Sequence, residues 1–110
     1  MDDILLLYTT WPDADTAERA GRTVVEEGLA ACANILGSGV SIYRWEGAVE
    51  RAEEAFMILK TTAKAAPALR DRIVALHPYE IPGMVALVAD AKASHAPFLS
   101  WIARESWTAS

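Results

Sequence analysis

Two stretches decide the reading of this chain, Ile4-Leu5-Leu6-Leu7-Tyr8 near its start and Phe56-Met57-Ile58-Leu59 at its middle. Each is a short apolar run without polar alternation, which predicts a strand covered on both faces. The elements around them decide where such strands can sit.

After the first run, Thr9-Thr10-Trp11-Pro12-Asp13 turns the chain. The spacing of Ala17, Ala20, Val24 and Val25 then predicts a helix over 14–27, with Asp13 as its N-cap and Gly28 as its stop. A second strand over 30–36 is interrupted by Gly37-Ser38-Gly39, which predicts a bulge or bend, and resumes over 40–45. Glu46-Gly47 makes the turn into a long third strand, 49–62, that contains the second apolar run. Pro67 suits the first turn of a second helix, Leu69, Ile73 and Leu76 fall on one of its faces, and Pro78 ends it. A fourth strand is predicted over 84–89 and a C-terminal helix over 96–107, with Phe98, Trp101 and Ile102 on one side.

The order β-α-β-β-α-β plus a terminal helix is α+β, the split β-α-β sandwich of ferredoxin-like folds, in one domain spanning 1–110. Its first and third strands lie mid-sheet, and those are the two that read as apolar on both faces. Two helices cover one side of the sheet, and the short terminal helix is too small to hide the other. An uncovered apolar sheet face predicts an obligate homo-oligomer.

Composition agrees with a packed domain: of 110 residues, 53% are hydrophobic and 23% charged, so disorder is excluded. Ten Lys plus Arg against fifteen Asp plus Glu give a net charge of −5. No basic stripe offsets that balance, so neither nucleic acid nor an anionic membrane is expected as a partner. The single cysteine, Cys32, excludes an internal disulfide and a multi-cysteine metal site. The acidic Met1-Asp2-Asp3 opening does not read as a signal peptide, and no run nears the ~20 apolar residues that cross a bilayer. A cytoplasmic protein is expected. No phosphate loop, dinucleotide fingerprint, H-E-x-x-H or C-x-x-C is present, and nothing in the sequence sets either histidine as a base for Cys32 or a serine, so no enzyme is expected.

The candidate metal ligands are Cys32 and His77, a thiolate and an imidazole of the kinds that copper(I) and zinc favour. Cys32 lies among alanines on a strand and reads first as a small buried hydrophobe. His77 precedes Pro78 at the exit of the second helix, where its ring is expected to stay accessible at the sheet edge or to cap the helix C-terminus. Lys60, Tyr79 and Glu80 offer a cation, a phenol and a carboxylate from two segments. They make either a polar pocket for an anionic or zwitterionic ligand, or an ion pair from Lys60 to Glu80 that sets the register between subunits. Trp45, beside the hairpin turn, reads as an interface anchor, and Trp11 as a second aromatic beside a turn. Glu46, Glu50, Glu53 and Glu54 read as a solvated acidic face.

Six strings, quoted in chain order, carry a resemblance. They are Tyr8-Thr9-Thr10-Trp11-Pro12-Asp13, Gly28-Leu29-Ala30-Ala31-Cys32-Ala33-Asn34-Ile35, Ser41-Ile42-Tyr43-Arg44-Trp45-Glu46-Gly47, Ile58-Leu59-Lys60-Thr61-Thr62, Leu76-His77-Pro78-Tyr79-Glu80-Ile81-Pro82 and Phe98-Leu99-Ser100-Trp101-Ile102. In order and spacing they resemble the CutA family of divalent-cation tolerance proteins over nearly the whole chain. The resemblance implies a ferredoxin-like subunit in a tight homotrimer, built much like the PII signalling proteins. It also implies a non-enzymatic role in tolerance of metal ions, with Cu(II) or another divalent cation weakly bound at the inter-subunit cleft and His77 as ligand. Tyr43, Trp45, Lys60, His77, Tyr79 and Glu80 match family positions near those clefts. Some copper-binding bacterial members carry cysteine at the position of Thr9 and a second histidine at that of Leu76, and Gly83 stands where an acidic residue is usual. The alternative implied by the same likeness is a PII-like sensor of a small organic anion, held through Lys60, Tyr79 and Glu80.

Overall fold

A computed structural model describes residues 3–107 of the chain. The elements are β1 (Ile4–Trp11), α1 (Ala14–Glu26), β2 (Cys32–Trp45), β3 (Ala48–Thr62), α2 (Ala66–Leu76), β4 (Met84–Val88) and α3 (Ala96–Glu105). Asp13 caps α1, its carboxylate accepting the Thr16 N–H at 2.8 Å. That bond from Thr16 holds the Asp13 carboxyl below the usual carboxylate range. Gly28 closes the helix in the left-handed region, with φ 75°. Leu29 then donates back to the Val24 carbonyl, which delays β2 to Cys32, two residues later than its pattern predicts.

The sheet runs in the order β2-β3-β1-β4 with every neighbour antiparallel, so β1 and β3 are the inner strands. The Gly37-Ser38-Gly39 step is a bulge: the β2–β3 register shifts between Leu36 and Gly39. Glu46 and Gly47 both take positive φ, 49° and 84°, as the two-residue turn of a right-twisting hairpin requires.

Alternation along the strands sorts the side chains into two layers. On one side Leu7, Trp11, Ala55, Met57 and Leu59 join Ala17, Ala20 and Val24 of α1 and Leu69 and Ile73 of α2 in a single buried core. On the other, α3 covers only one end, packing Leu99 and Ile102 against Ile4 and Ala31. The rest of that side keeps Tyr8, Leu36, Val85 and Leu87 exposed. Within one chain, then, the inner strands are covered on the helix side and only partly on the far side.

Beyond the Trp11–Ala55 pair, β2 and β3 leave the sheet and continue as a two-stranded arm. Val40, Ile42, Trp45 and Val49 on this arm are exposed, Ile42 to 72%. A lone two-stranded ribbon is marginal in water, and one bearing exposed apolar side chains gains by meeting another surface.

Gly39 lies at the base of the arm with the Phe56 ring packed where a Cβ would stand. Gly39→Ala is expected to lower stability by about 1–3 kcal/mol in chemical denaturation, because the added methyl displaces that ring. Trimming the ring with Phe56→Val in the same chain should return part of the loss.

Candidate functional site

Pro78 cannot continue α2, and His77 at its end turns extended, with ψ 137°. This places the imidazole against the last residues of β1 rather than in solvent, and only 8% of the residue is exposed. Its ring stacks on Trp11 with centroids 4.1 Å apart and lies 4.8 Å from the Tyr79 ring. Both nitrogens are engaged. Nδ1 accepts the Tyr79 backbone N–H at 3.1 Å, and Nε2 lies 2.7 Å from the Thr10 carbonyl oxygen. Since an amide only donates and a carbonyl only accepts, the ring is neutral with its proton on Nε2. The expectation of an accessible imidazole is therefore corrected: packing against Trp11 buries it.

Trp11 is not a turn-side aromatic but a fully buried core residue. Its Nε1 donates to the Thr9 hydroxyl at 2.6 Å, and that hydroxyl donates to the Met57 carbonyl at 2.8 Å. The platform under His77 is thus fixed to both inner strands. Tyr79 extends the group outward, its hydroxyl donating to Glu54 at 3.0 Å. Burial and the Glu54 carboxylate together push the Tyr79 phenol up to about 12. Glu54 therefore leaves the solvated acidic face to which the run of glutamates assigned it. Nothing in the sequence marks that partnership, because the two residues lie 25 positions apart.

Lys60 is elsewhere. It pairs with Leu6 and Cys32 across the sheet, and its ammonium lies 5.4 Å from the Phe98 ring centroid of α3. Six residues of β3 separate Lys60 from Glu54, which at ~3.3 Å per residue is about 20 Å. Glu80 is exposed on the loop beside Tyr79. The pocket of Lys60, Tyr79 and Glu80 accordingly does not form within one subunit, nor does an ion pair between Lys60 and Glu80. Tyr43 and Trp45 stand exposed on the arm.

Cys32 is half-buried on the far side of the sheet in a single chain, its Sγ 3.7 Å from the Asn34 side-chain oxygen. Four residues of β1 separate Leu6, in register with Lys60 and Cys32, from the Thr10 carbonyl that His77 holds, about 13 Å of strand. Cys32 and His77 thus do not form a ligand pair in one chain. Among the described residues no three His, Cys, Asp or Glu side chains gather as a metal cage. His77 could take a cation only by giving up one of its two hydrogen bonds. Among the described residues of a single subunit, the donor set does not fit a divalent cation.

Order, pairing and packing define a ferredoxin-like α+β subunit with an imidazole held between aromatics at one corner. The family model described as the CutA1 divalent ion tolerance protein matches residues 5–105. The chain belongs to that family. It is 40% identical over 103 residues to the divalent-cation tolerance protein CutA of Thermus thermophilus, covering 93% of this chain and 95% of that protein. It is 37% identical to human Protein CutA over 86% of this chain, but spans only about half, 52%, of the human protein's length. Among solved structures, CutA1 of Shewanella sp. SIB1 superposes with a TM-score of 0.90 at 34% identity, covering 97% of this chain and 98% of that one. A protein from Archaeoglobus fulgidus, described as a periplasmic divalent cation tolerance protein CutA, gives a TM-score of 0.85 at 34% identity, covering 94% and 98%. No helix among the described residues is long and apolar enough to cross a membrane.

The raised phenol of Tyr79 gives a testable signature. Because the fold favours the neutral form, its stabilisation is present below the ordinary value of 10.0 and is lost as pH rises through about 12. In an absorbance titration of the phenols, Tyr79→Phe should remove the ionisation step near 12.

Proposed function

We propose that this chain acts in the cytoplasm as a non-enzymatic, homotrimeric binding protein of divalent-cation tolerance, and that cations meet it at the clefts between subunits. One observation carries the reading: the far side of the sheet and the arm leave Tyr8, Leu36, Ile42, Trp45, Val49, Val85 and Leu87 exposed in a single chain. Apolar surface on this scale is normal for an interface and unusual on a free monomer. The relatives named for divalent-cation tolerance support the metal connection. Since the described residues of one subunit gather no cage, a cation held by several side chains draws them from two subunits.

Sedimentation at low concentration is expected to give three times the 11.9 kDa of one chain. A charge on the arm, Ile42→Glu with Trp45→Glu, should shift the particle toward 11.9 kDa, and a folded wild-type particle already of that mass would overturn the proposal.

Copper(II) at His77 must displace either the Tyr79 amide or the Thr10 carbonyl, so the tightest cation contact is assigned to other ligands at the cleft. In calorimetric titrations with Cu(II), wild type and His77→Gln are expected to agree in Kd within about threefold, a difference under 1 kcal/mol. A tenfold loss in the variant would put the metal on His77.

The PII-like alternative, a sensor of a small organic anion, draws support from one feature. The Lys60 ammonium meets an aromatic face, and no carboxylate pairs with it among the described residues. Such a site would use Lys60 of one subunit with Tyr79 and Glu80 of the next. Thermal stabilisation by an organic anion in the presence of chelator would favour it over the cation reading.

A further inference from the structure

The arm leaves the sheet at one identifiable point. Ala55 is the last β3 residue paired with β1, opposite Trp11, and Glu54 is the next, opposite Gly39 just past the bulge. From Glu54 onward two strands continue without a third, and a two-stranded ribbon twists more freely than a sheet. The hydroxyl that reaches this hinge, from Tyr79, belongs to the 77–83 segment after α2.

That segment hydrogen-bonds to β1 at Thr10 and stacks on Trp11. Thr10 donates its N–H to the Gly83 carbonyl at 3.2 Å, and its own carbonyl lies 2.7 Å from His77 Nε2. Inside the segment, His77 Nδ1 accepts the Tyr79 N–H. Residues 78–83 form neither helix nor strand, and Ile81 is 70% exposed, so these bonds and the Trp11 stack bear the work of seating them.

We propose that His77 and Tyr79 form a latch between the 77–83 segment and the hinge of the arm: the imidazole seats the segment on the end of β1, and the seated segment holds the Tyr79 hydroxyl against Glu54, fixing the direction of the arm. The latch needs one tautomer. With the proton on Nε2 the ring donates to Thr10 and accepts from Tyr79 at once, and the other neutral form would set donor against donor at Tyr79 and acceptor against acceptor at Thr10. This role holds whatever surface the arm meets, so it does not depend on the assembly or cation proposals.

Hydrogen exchange on the full chain tests it, read on peptides covering 77–83 and on those covering 37–41 and 52–55. His77→Gln, which removes the acceptor at the Nδ1 position, is expected to speed exchange about tenfold or more in all three. His77→Asn, whose side-chain oxygen can stand near Nδ1, should keep residues 77–83 within about threefold of wild type. Tyr79→Phe should speed exchange at the hinge peptides alone. Unchanged hinge peptides in both His77→Gln and Tyr79→Phe would overturn the latch. Nitrogen-15 NMR of the wild-type imidazole at neutral pH tests the tautomer the latch requires with no substitution at all. Protonated Nε2 with bare Nδ1 is expected, and a proton on Nδ1 would refute the proposal.

Discussion

All of β1, from Ile4 opposite Thr62 to Trp11 opposite Ala55, pairs with β3, and this antiparallel contact is the frame for everything else in the subunit. It aligns Leu7 and Trp11 with Ala55, Met57 and Leu59 on one face, so that α1 and α2 have a continuous apolar floor to pack on. Burying side chains such as Leu7, Met57 and Leu59 is worth roughly 1.5–3 kcal/mol each, against about 0.5–1.5 kcal/mol net for a typical neutral hydrogen bond. A slip of one residue would turn the whole set to the far side. The register also fixes where the sheet ends, and hence where the arm begins.

The corner around His77 is built on the last residues of that frame. Burial of an imidazole is costly unless its nitrogens are satisfied, and here each has a partner with the right hydrogen-bonding sense. Trp11 is held in turn by the Thr9 hydroxyl, which is spent on the Met57 carbonyl. A thiol at that position would offer a weaker donor and acceptor, so the threonine suits a closed hydrogen-bond network better than a soft metal site. The same economy explains why His77, the most conspicuous metal-ligand residue in the sequence, serves as a structural partner within the subunit.

The far side follows a different logic. Helices α1 and α2 are committed to one face, α3 reaches only the end near Ile4, and the inner strands stay apolar across the rest. The arm carries further exposed apolar side chains, Val40, Ile42 and Val49, beyond the body of the domain. Membership of the CutA1 family and superposition on CutA1 of Shewanella sp. SIB1 over nearly the full chain show that the subunit fold is shared with that relative.

Local pattern was enough for the elements and their order. The apolar runs of β1 and β3, the Asp13 cap, the Gly28 stop, the Gly37-Ser38-Gly39 bulge and the Glu46-Gly47 turn each depend on residues within a few positions of one another. From these the ferredoxin-like topology follows, while the six quoted strings carry the family resemblance separately. The site was legible only as residue types. Whether His77 faces water or Trp11, whether Tyr79 meets Lys60 or Glu54, and whether Cys32 lies near His77 or a strand's length away are settled by register and by which face each strand turns to the helices. Hydrogen bonds between residues dozens of positions apart leave no periodicity behind. The sequence by itself therefore determined the elements, their order and the inner place of β1 and β3, while only the tertiary structure decided which polar side chains meet, because that depends on distances the chain acquires by folding.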